Sequence, residues 1–492
     1  MKATKRTIFK KHLFFLFLAS FLVRAITFHF FITPQQRYRQ ADSPDYHNCT
    51  ISMYMSGCMN RIDTMEPIYW RTPGYPTYLY FFYKTFAIET PKFDGCRIAQ
   101  IMAIWLQILL SSLVPIILLY LALMLTGILS ISWVAAWIYA LHLGPILASC
   151  FLLTEALAII FFSLFLFFFY KQLRTWFDPP LLLATSKKNE TSWKTSVALA
   201  SLFLGIATWI RPMGEFVLIV AVLLIFILDR VNLKVKFKKI GLIFFVFFAI
   251  TGPWYIRNYR LTGKFFFCPM FGPYLNSFCA PKILRDTLGI PLPKCIHYLY
   301  NQSKEKSTEK TIYAYKQGKK YCKLFAPLEI ALPIIKKHPF VFLHNWTKEV
   351  LKTTFDLYSS QLVAFANNSF MYDPLEEFLT EKWAACVYKQ KMPFSMRLLI
   401  FLEIIFELFK WIGLLCGAWL FLLRTLIKKF QVTQQIKQIS ALWLKTAPMI
   451  GAFLFMTGGF GYARLRLPVE PLMILLSLTF WYFLIIQKRE KP

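Results

Sequence analysis

The stretch Ala41-Asp42-Ser43-Pro44-Asp45-Tyr46 carries the most informative acid of the chain. Ser43 before Pro44 reads as a helix start, with Ser as N-cap and Pro at the first helical position. Asp42 then stands just outside that helix, beside its partly positive end, where the ionised carboxylate is favoured. Such an acid can accept a proton from an attacking hydroxyl or bind a metal ion. The same residue also reads as a plain capping acid. Downstream, Tyr69-Trp70-Arg71-Thr72-Pro73-Gly74-Tyr75-Pro76 places a Pro-Gly turn beside Arg71. A guanidinium there can fork onto a lipid phosphate with two hydrogen bonds, a geometry lysine lacks; it reads equally as a headgroup anchor. Tyr78, Tyr80, Phe81, Phe82 and Tyr83 predict a short helix lying at headgroup level.

Other charges interrupt apolar runs. Glu155 follows Thr154 within 150–169, Arg211 precedes Pro212, and Arg257 follows Pro253-Trp254-Tyr255. Arg464 and Arg466 lie in Tyr462-Ala463-Arg464-Leu465-Arg466-Leu467-Pro468. A charge at a bilayer centre costs about 2.5–3.5 kcal/mol on insertion scales, and less near the interface. Each of these can snorkel to water alone. That Arg71, Arg211, Arg257, Arg464 and Arg466 share a level with Asp42 and Glu155 predicts one cavity for an anionic, membrane-embedded substrate.

The elements that must position these residues are membrane spans. Of 492 residues, 57% are hydrophobic, 18% aromatic and 16% charged, and the mean hydropathy is +0.49. A soluble chain carries roughly a quarter charged residues. Runs long enough to cross about 30 Å of hydrocarbon fall near 12–32, 98–124, 129–148, 151–170, 194–210, 214–229, 239–255, 396–424, 439–458 and 469–487. The first is read as a retained span rather than a signal peptide, because no small-residue cleavage site precedes Arg37. With these ten spans, Lys2 to Lys11, Lys171 to Lys194, Lys234 to Lys238, Arg424 to Lys437 and Lys488 to Lys491 all fall on one side. The positive-inside rule makes that side cytoplasmic, with both termini there. The expected location is the cell inner (plasma) membrane.

The net charge of +31 is then topogenic lysine plus a basic outer loop, and nucleic acid is not expected as a partner. Most of the ten cysteines fall in outer loops, which suggests an oxidising compartment and some disulfides.

Three regions follow: 1–255, a transmembrane module with a first outer loop at 33–97; 256–395, a large outer loop; and 396–492, C-terminal transmembrane helices. Within the large loop, 301–323 is polar and reads as solvated, and 331–355 has helical periodicity with a break at Pro339.

In their order, these segments resemble the GT-C superfamily of membrane glycosyltransferases, specifically the family (family 39-like) that includes protein O-mannosyltransferases and aminoarabinose transferases. Asp42 with Tyr46 matches its Asp-x-x-x-Tyr pattern, and Arg71 to Pro76 is similar to its Arg/Lys-x-Pro-Gly-Tyr-Pro turn. Thr154-Glu155, Arg211-Pro212, Pro253 to Asn258 and Arg464 to Pro468 resemble its later signatures. The likeness covers most of the chain outside 275–330 and 365–395. Ser43 stands where related branches often have Glu, and Arg71 where they often have Lys.

The resemblance implies an all-α polytopic membrane protein, a GT-C-like bundle with interfacial helices in its outer loops; the apolar runs set its size at about ten transmembrane helices, fewer than the family often has. It implies a glycosyltransferase of hexosyl or pentosyl type that uses a polyprenyl-phosphate sugar donor, inverts the anomeric carbon, and delivers to a lipid, protein or glycan acceptor of the cell envelope. Asp42 becomes the general base. Tyr46, Arg71, Glu155, Arg211, Arg257, Arg464 and Arg466 become the substrate- and phosphate-binding set. A divalent metal on Asp42 and Glu155 stays open. So do two other readings, a transporter or flippase of a lipid-linked anion and a glycan polymerase or ligase.

Overall fold

The computed structural model describes residues 2–32, 42–61, 67–86, 93–173, 192–316, 326–358, 394–426, 434–457 and 463–489. Among these residues the architecture is helical throughout, with a single isolated bridge between Asn60 and Pro67. Among the described residues seven helices are long and apolar enough to cross a bilayer, and the bent pair Leu129–Leu141 and Leu143–Cys150 is so when taken together. The chain is an all-α, multi-pass membrane protein.

Two of the ten expected spans take a different form. The run 214–229 becomes the 15-residue helix Gly214–Leu228, about 22 Å long and short of a full crossing. The run 396–424 lies inside the 33-residue helix Phe394–Leu426, whose Glu403, Glu407 and Lys410 are all buried. Those charges turn toward the bundle, which a mean-hydropathy reading cannot register.

Prolines and one histidine set the breaks. The pair 129–150 bends by 45° at His142, whose Nδ1 accepts the Gly144 N–H at 3.1 Å and caps the second half. Glu155–Gln172 begins at the expected Thr154-Glu155 step. It is apolar all round, and its Phe162, Phe165 and Phe169 sit inside the main core, as expected of a helix surrounded by protein.

The described residues of 271–316 and 326–355 pack around a core of their own, formed by Tyr274, Leu275, Ala280, Leu299, Ala331 and Trp346. Trp346 Nε1 ties it to the helix Gln434–Thr457 by donating to the Phe455 carbonyl at 3.1 Å. The expected break at Pro339 is present: one helix ends at Lys337 and the next starts at Pro339. The polar stretch from Asn301 is helical up to Lys316; the remainder to Lys323 lies outside the described residues, as does most of 359–395.

Candidate active site

The first-loop helix is Ser43–Ser56, and its N-cap position is held by Asp42, not Ser43. Neither side chain caps it. The Ser43 hydroxyl donates to the Leu152 carbonyl at 3.0 Å, and the Asp42 carboxylate is drawn away by two arginines. Arg71 Nη2 reaches Asp42 Oδ1 at 2.7 Å and Arg464 Nη2 reaches Asp42 Oδ2 at 2.9 Å.

The turn bearing Arg71 is fixed from below. Thr72 Oγ1 donates to the Ile210 carbonyl at 2.8 Å. A Cβ on Gly74 would lie 2.6 Å from the carbonyl of Trp209, so this approach requires glycine. The aromatic residues that follow form the helix Gly74–Thr85, which buries Tyr75, Leu79, Phe82 and Tyr83 and leaves Phe81 exposed. Tyr75 and Tyr83 are fully buried, because each phenol finds a polar partner: Tyr75 on Gln107 at 2.7 Å, and Tyr83 on His47 and Gln100 at 2.9 and 3.1 Å.

The same contacts extend into a chain of charges. Arg71 Nη2 also holds Asp45 at 2.7 Å, and its guanidinium lies 4.9 Å from the Tyr46 ring centroid. Arg464 Nη1 stands 3.8 Å from Glu155 Oε1, which Arg211 Nη1 contacts at 2.9 Å. Five sequence segments thus converge through Asp45, Arg71, Asp42, Arg464, Glu155 and Arg211, with Tyr46 beneath. Arg71, Arg464 and Asp42 keep 15%, 20% and 28% of their side chains exposed, so the row is reachable from outside. Burial pushes the Asp42 carboxyl up, but the guanidiniums of Arg464 and Arg71 overcome it and hold the group well below the usual carboxylate range.

Two expected members stand apart from this row. Arg257 donates to the carbonyls of Ile68 and Met59, both at 3.3 Å, and stacks on Trp254 at 4.2 Å. It fastens the first loop to the helix Leu233–Thr262. Trp254 itself is buried, with its indole N–H on the Phe267 carbonyl at 3.1 Å. Arg466 is fully buried. It contacts Glu407 at 2.8 Å and Glu470 at 3.2 Å, and donates to the carbonyls of Thr353, Thr354 and Asp356 at 3.1, 3.0 and 2.6 Å.

Arg466 belongs to a second, wholly buried cluster that sequence reasoning missed. Lys410 Nζ contacts Glu407 at 2.7 Å and also bonds Glu470. His142 Nε2 lies 3.6 Å from Glu407 and 3.3 Å from Glu470. The available signal was the spacing of Glu403, Glu407 and Lys410, which puts all three on one helix face.

Neither cluster suits a divalent ion. Both Asp42 oxygens are already bonded to arginines, and Glu155 Oε1 is paired with Arg211. Among the described residues, the one group of three potential ligands is His142, Glu407 and Glu470, and Lys410 and Arg466 already neutralise its carboxylates. Thiolates offer no alternative. Cys49, Cys58, Cys268, Cys279, Cys295 and Cys416 carry free thiols, and burial pushes those of Cys49 and Cys268 up to about 12. None of the expected disulfides joins any two of these six.

No protein-family model and no curated protein sequence matches the chain. Among solved structures, it is similar to the Archaeoglobus fulgidus oligosaccharyltransferase tethered with an acceptor peptide, with a TM-score of 0.49 and 11% identity over 97% of this chain and 50% of that one. It is also similar to the archaeal oligosaccharyltransferase AglB from Archaeoglobus fulgidus in complex with an inhibitory peptide and a dolichol-phosphate, at 0.48 and 12% over 97% and 51%. For ArnT from Cupriavidus metallidurans the values are 0.34 and 13%, over 97% and 78%. The chain spans about half the length of the archaeal oligosaccharyltransferase.

Proposed function

We propose that this protein is a membrane glycosyltransferase that moves a sugar from a polyprenyl-phosphate donor to an acceptor on the extracytoplasmic side. The observation that carries the reading is the bridging of Asp42 by Arg71 and Arg464, residues that the motif resemblance had already singled out. An anion site is further supported by Arg71 Nε, which is buried and has no hydrogen-bond partner; a buried guanidinium donor of this kind calls for an acceptor.

The chemistry is a single displacement. The acceptor hydroxyl attacks the anomeric carbon, the bond from that carbon to the phosphate oxygen breaks, and polyprenyl phosphate leaves with the electron pair. The hydroxyl proton passes to Asp42. Arg71, Arg464 and Arg211 face the phosphate and balance the charge it gains on leaving. Glu155 receives sugar hydroxyls.

A carboxylate bonded to two guanidiniums is a weak base, and donor binding corrects this. As the phosphate draws Arg71 and Arg464 toward itself, Asp42 loses its counter-charges, its proton affinity rises, and it becomes competent only when the donor is in place. Inversion follows from the one-step attack.

The test uses the purified protein in lipid nanodiscs with a panel of polyprenyl-phosphate sugars and a cell-envelope extract as acceptor. Transfer that vanishes in Asp42→Asn supports the proposal. An Asp42→Asn variant with undiminished transfer overturns Asp42 as the base, and a wild type that only moves intact donor between leaflets replaces the whole reading with a flippase.

A further inference from the structure

Tyr358 belongs to the large loop, just past the helix Pro339–Phe355, yet it is 2% exposed and sits in the core of the membrane domain. Several elements hold it there. Its backbone N–H donates to Glu403 Oε1 at 2.6 Å, and its hydroxyl donates to Glu470 Oε2 at 3.1 Å. The Arg466 guanidinium lies 4.6 Å from its ring centroid, and the His142 ring meets it edge-on at 5.3 Å. Loop side chains ordinarily stay at the surface, and burying charged groups is costly unless they are well paired. Here the second ion cluster converges on one aromatic ring.

The ring also forms part of the wall of a small pocket. Leu147, Phe151 and Leu467 line it, and Glu155 and Arg464 of the candidate site open onto it. Clearance for the ring comes from Gly144, where a Cβ would meet the ring carbons at 2.7 Å. One side chain therefore links the catalytic row to the buried cluster.

We propose that Tyr358 is a specificity-determining residue: its ring closes the apolar pocket beside Glu155 and Arg464 and limits the size of the glycosyl unit that can lie against them. His142, Glu407, Lys410, Arg466 and Glu470 hold the ring in that place. The inference rests on the glycosyl-transfer reading above. The space between the ring, Glu155 and Arg464 holds about one water, so an added carbon on a sugar whose hydroxyls Glu155 receives meets the Tyr358 ring. A rigid apolar wall discriminates against one added carbon by about 10–200-fold.

The experiment compares wild type, Tyr358→Phe, Tyr358→Ala and Gly144→Ala in nanodiscs. Each is given two polyprenyl-phosphate donors that differ by one exocyclic hydroxymethyl group, and kcat/KM is measured for both. Wild type should favour the smaller donor. Tyr358→Ala should raise the relative kcat/KM of the larger donor about 10-fold. Tyr358→Phe, which keeps the ring, should leave the ratio within about two-fold of wild type. Gly144→Ala should disfavour the larger donor further, and it carries the test if Tyr358→Ala does not fold. An unchanged donor ratio in the alanine variants overturns the inference while leaving the transfer reading standing. So does an equal loss for both donors, which marks a purely structural tyrosine. A wild type that transfers from neither donor overturns the transfer reading first and this inference with it.

Discussion

Arg464 and Arg466 share one 3₁₀ turn, Ala463–Val469, and answer to different partners. At three residues per turn, positions two apart point about 120° from each other. Arg464 therefore reaches Asp42 at 2.9 Å, while Arg466 turns inward to Glu407 and Glu470 at 2.8 and 3.2 Å. One turn supplies both an arginine for the site and the clamp that holds the turn in place.

Replacing these arginines should separate function from stability. Arg464→Ala leaves Asp42 paired with Arg71 and Glu155 paired with Arg211, so melting should shift little while transfer is lost. Arg466→Ala leaves Glu407 and Glu470 with Lys410 as their remaining fixed cation and frees three buried carbonyls. Breaking a buried pair in this way costs about 3–5 kcal/mol. Thermal unfolding in detergent beside an activity assay checks both, and an Arg466→Ala variant that melts like wild type removes the clamp from the account.

Asp42→Asn should lower kcat by about 10²–10⁴-fold with the fold intact. The pH profile supplies a second check. Burial raises the Asp42 carboxyl, yet Arg464 and Arg71 hold it below the usual range. A depressed folded value means its stabilising contribution is present above the unfolded value, about 3.9, and is lost only as pH falls through the lower folded one. The kcat/KM profile, which reports the free enzyme, should thus show no acid limb from Asp42 above about pH 5. The kcat profile should show one at higher pH, because bound donor competes for the arginines.

The residues legible in the sequence were those whose type conflicts with their neighbourhood. Asp42 beside Ser43-Pro44, Arg71 before Pro73-Gly74, and Arg464 inside an apolar run declare themselves, and the structure brings all three together. Arg257 and Arg466 carry the same signal but spend it on backbone carbonyls and buried acids, a difference that only tertiary contacts reveal. Lys410 and Glu407 were hidden because a window average dilutes two charges among many apolar residues. Tyr358 had no signal at all, since an aromatic in an apolar loop is unremarkable until its partners are known.

Asp356 gives the fold a dependence on pH of its own. Burial pushes its carboxyl up to about 7 against the lowering effects of Arg466 and of the N–H groups of Ala463 and Leu357. With the folded value raised, the contribution to stability is full below the unfolded value and is lost as pH rises through about 7. Melting temperature should therefore fall from about pH 5 to 8, with a weaker trend in Asp356→Asn. The asparagine amide can accept only one of the two backbone bonds made at 2.9 and 3.3 Å, so that variant should also melt lower at acid pH. An identical slope in both proteins assigns the dependence elsewhere.

Arg71→Lys tests whether the guanidinium shape matters or only its charge. Arg71 bonds Asp42 and Asp45 through one nitrogen, lies against the Tyr46 ring, and keeps Nε without a hydrogen-bond partner. A lysine ammonium can hold one carboxylate but cannot present a planar fork to a phosphate at the same time. A hydrogen bond to a charged group is worth about 1.5–3 kcal/mol, so the loss of one should raise the donor KM by about 10–100-fold. Arg464 still bonds Asp42 in this variant, which should keep kcat within a few-fold of wild type. A KM equal to wild type would mean that Arg71 serves only to anchor the turn through Asp45 and Tyr46, and the phosphate would then be assigned to Arg464 and Arg211 alone.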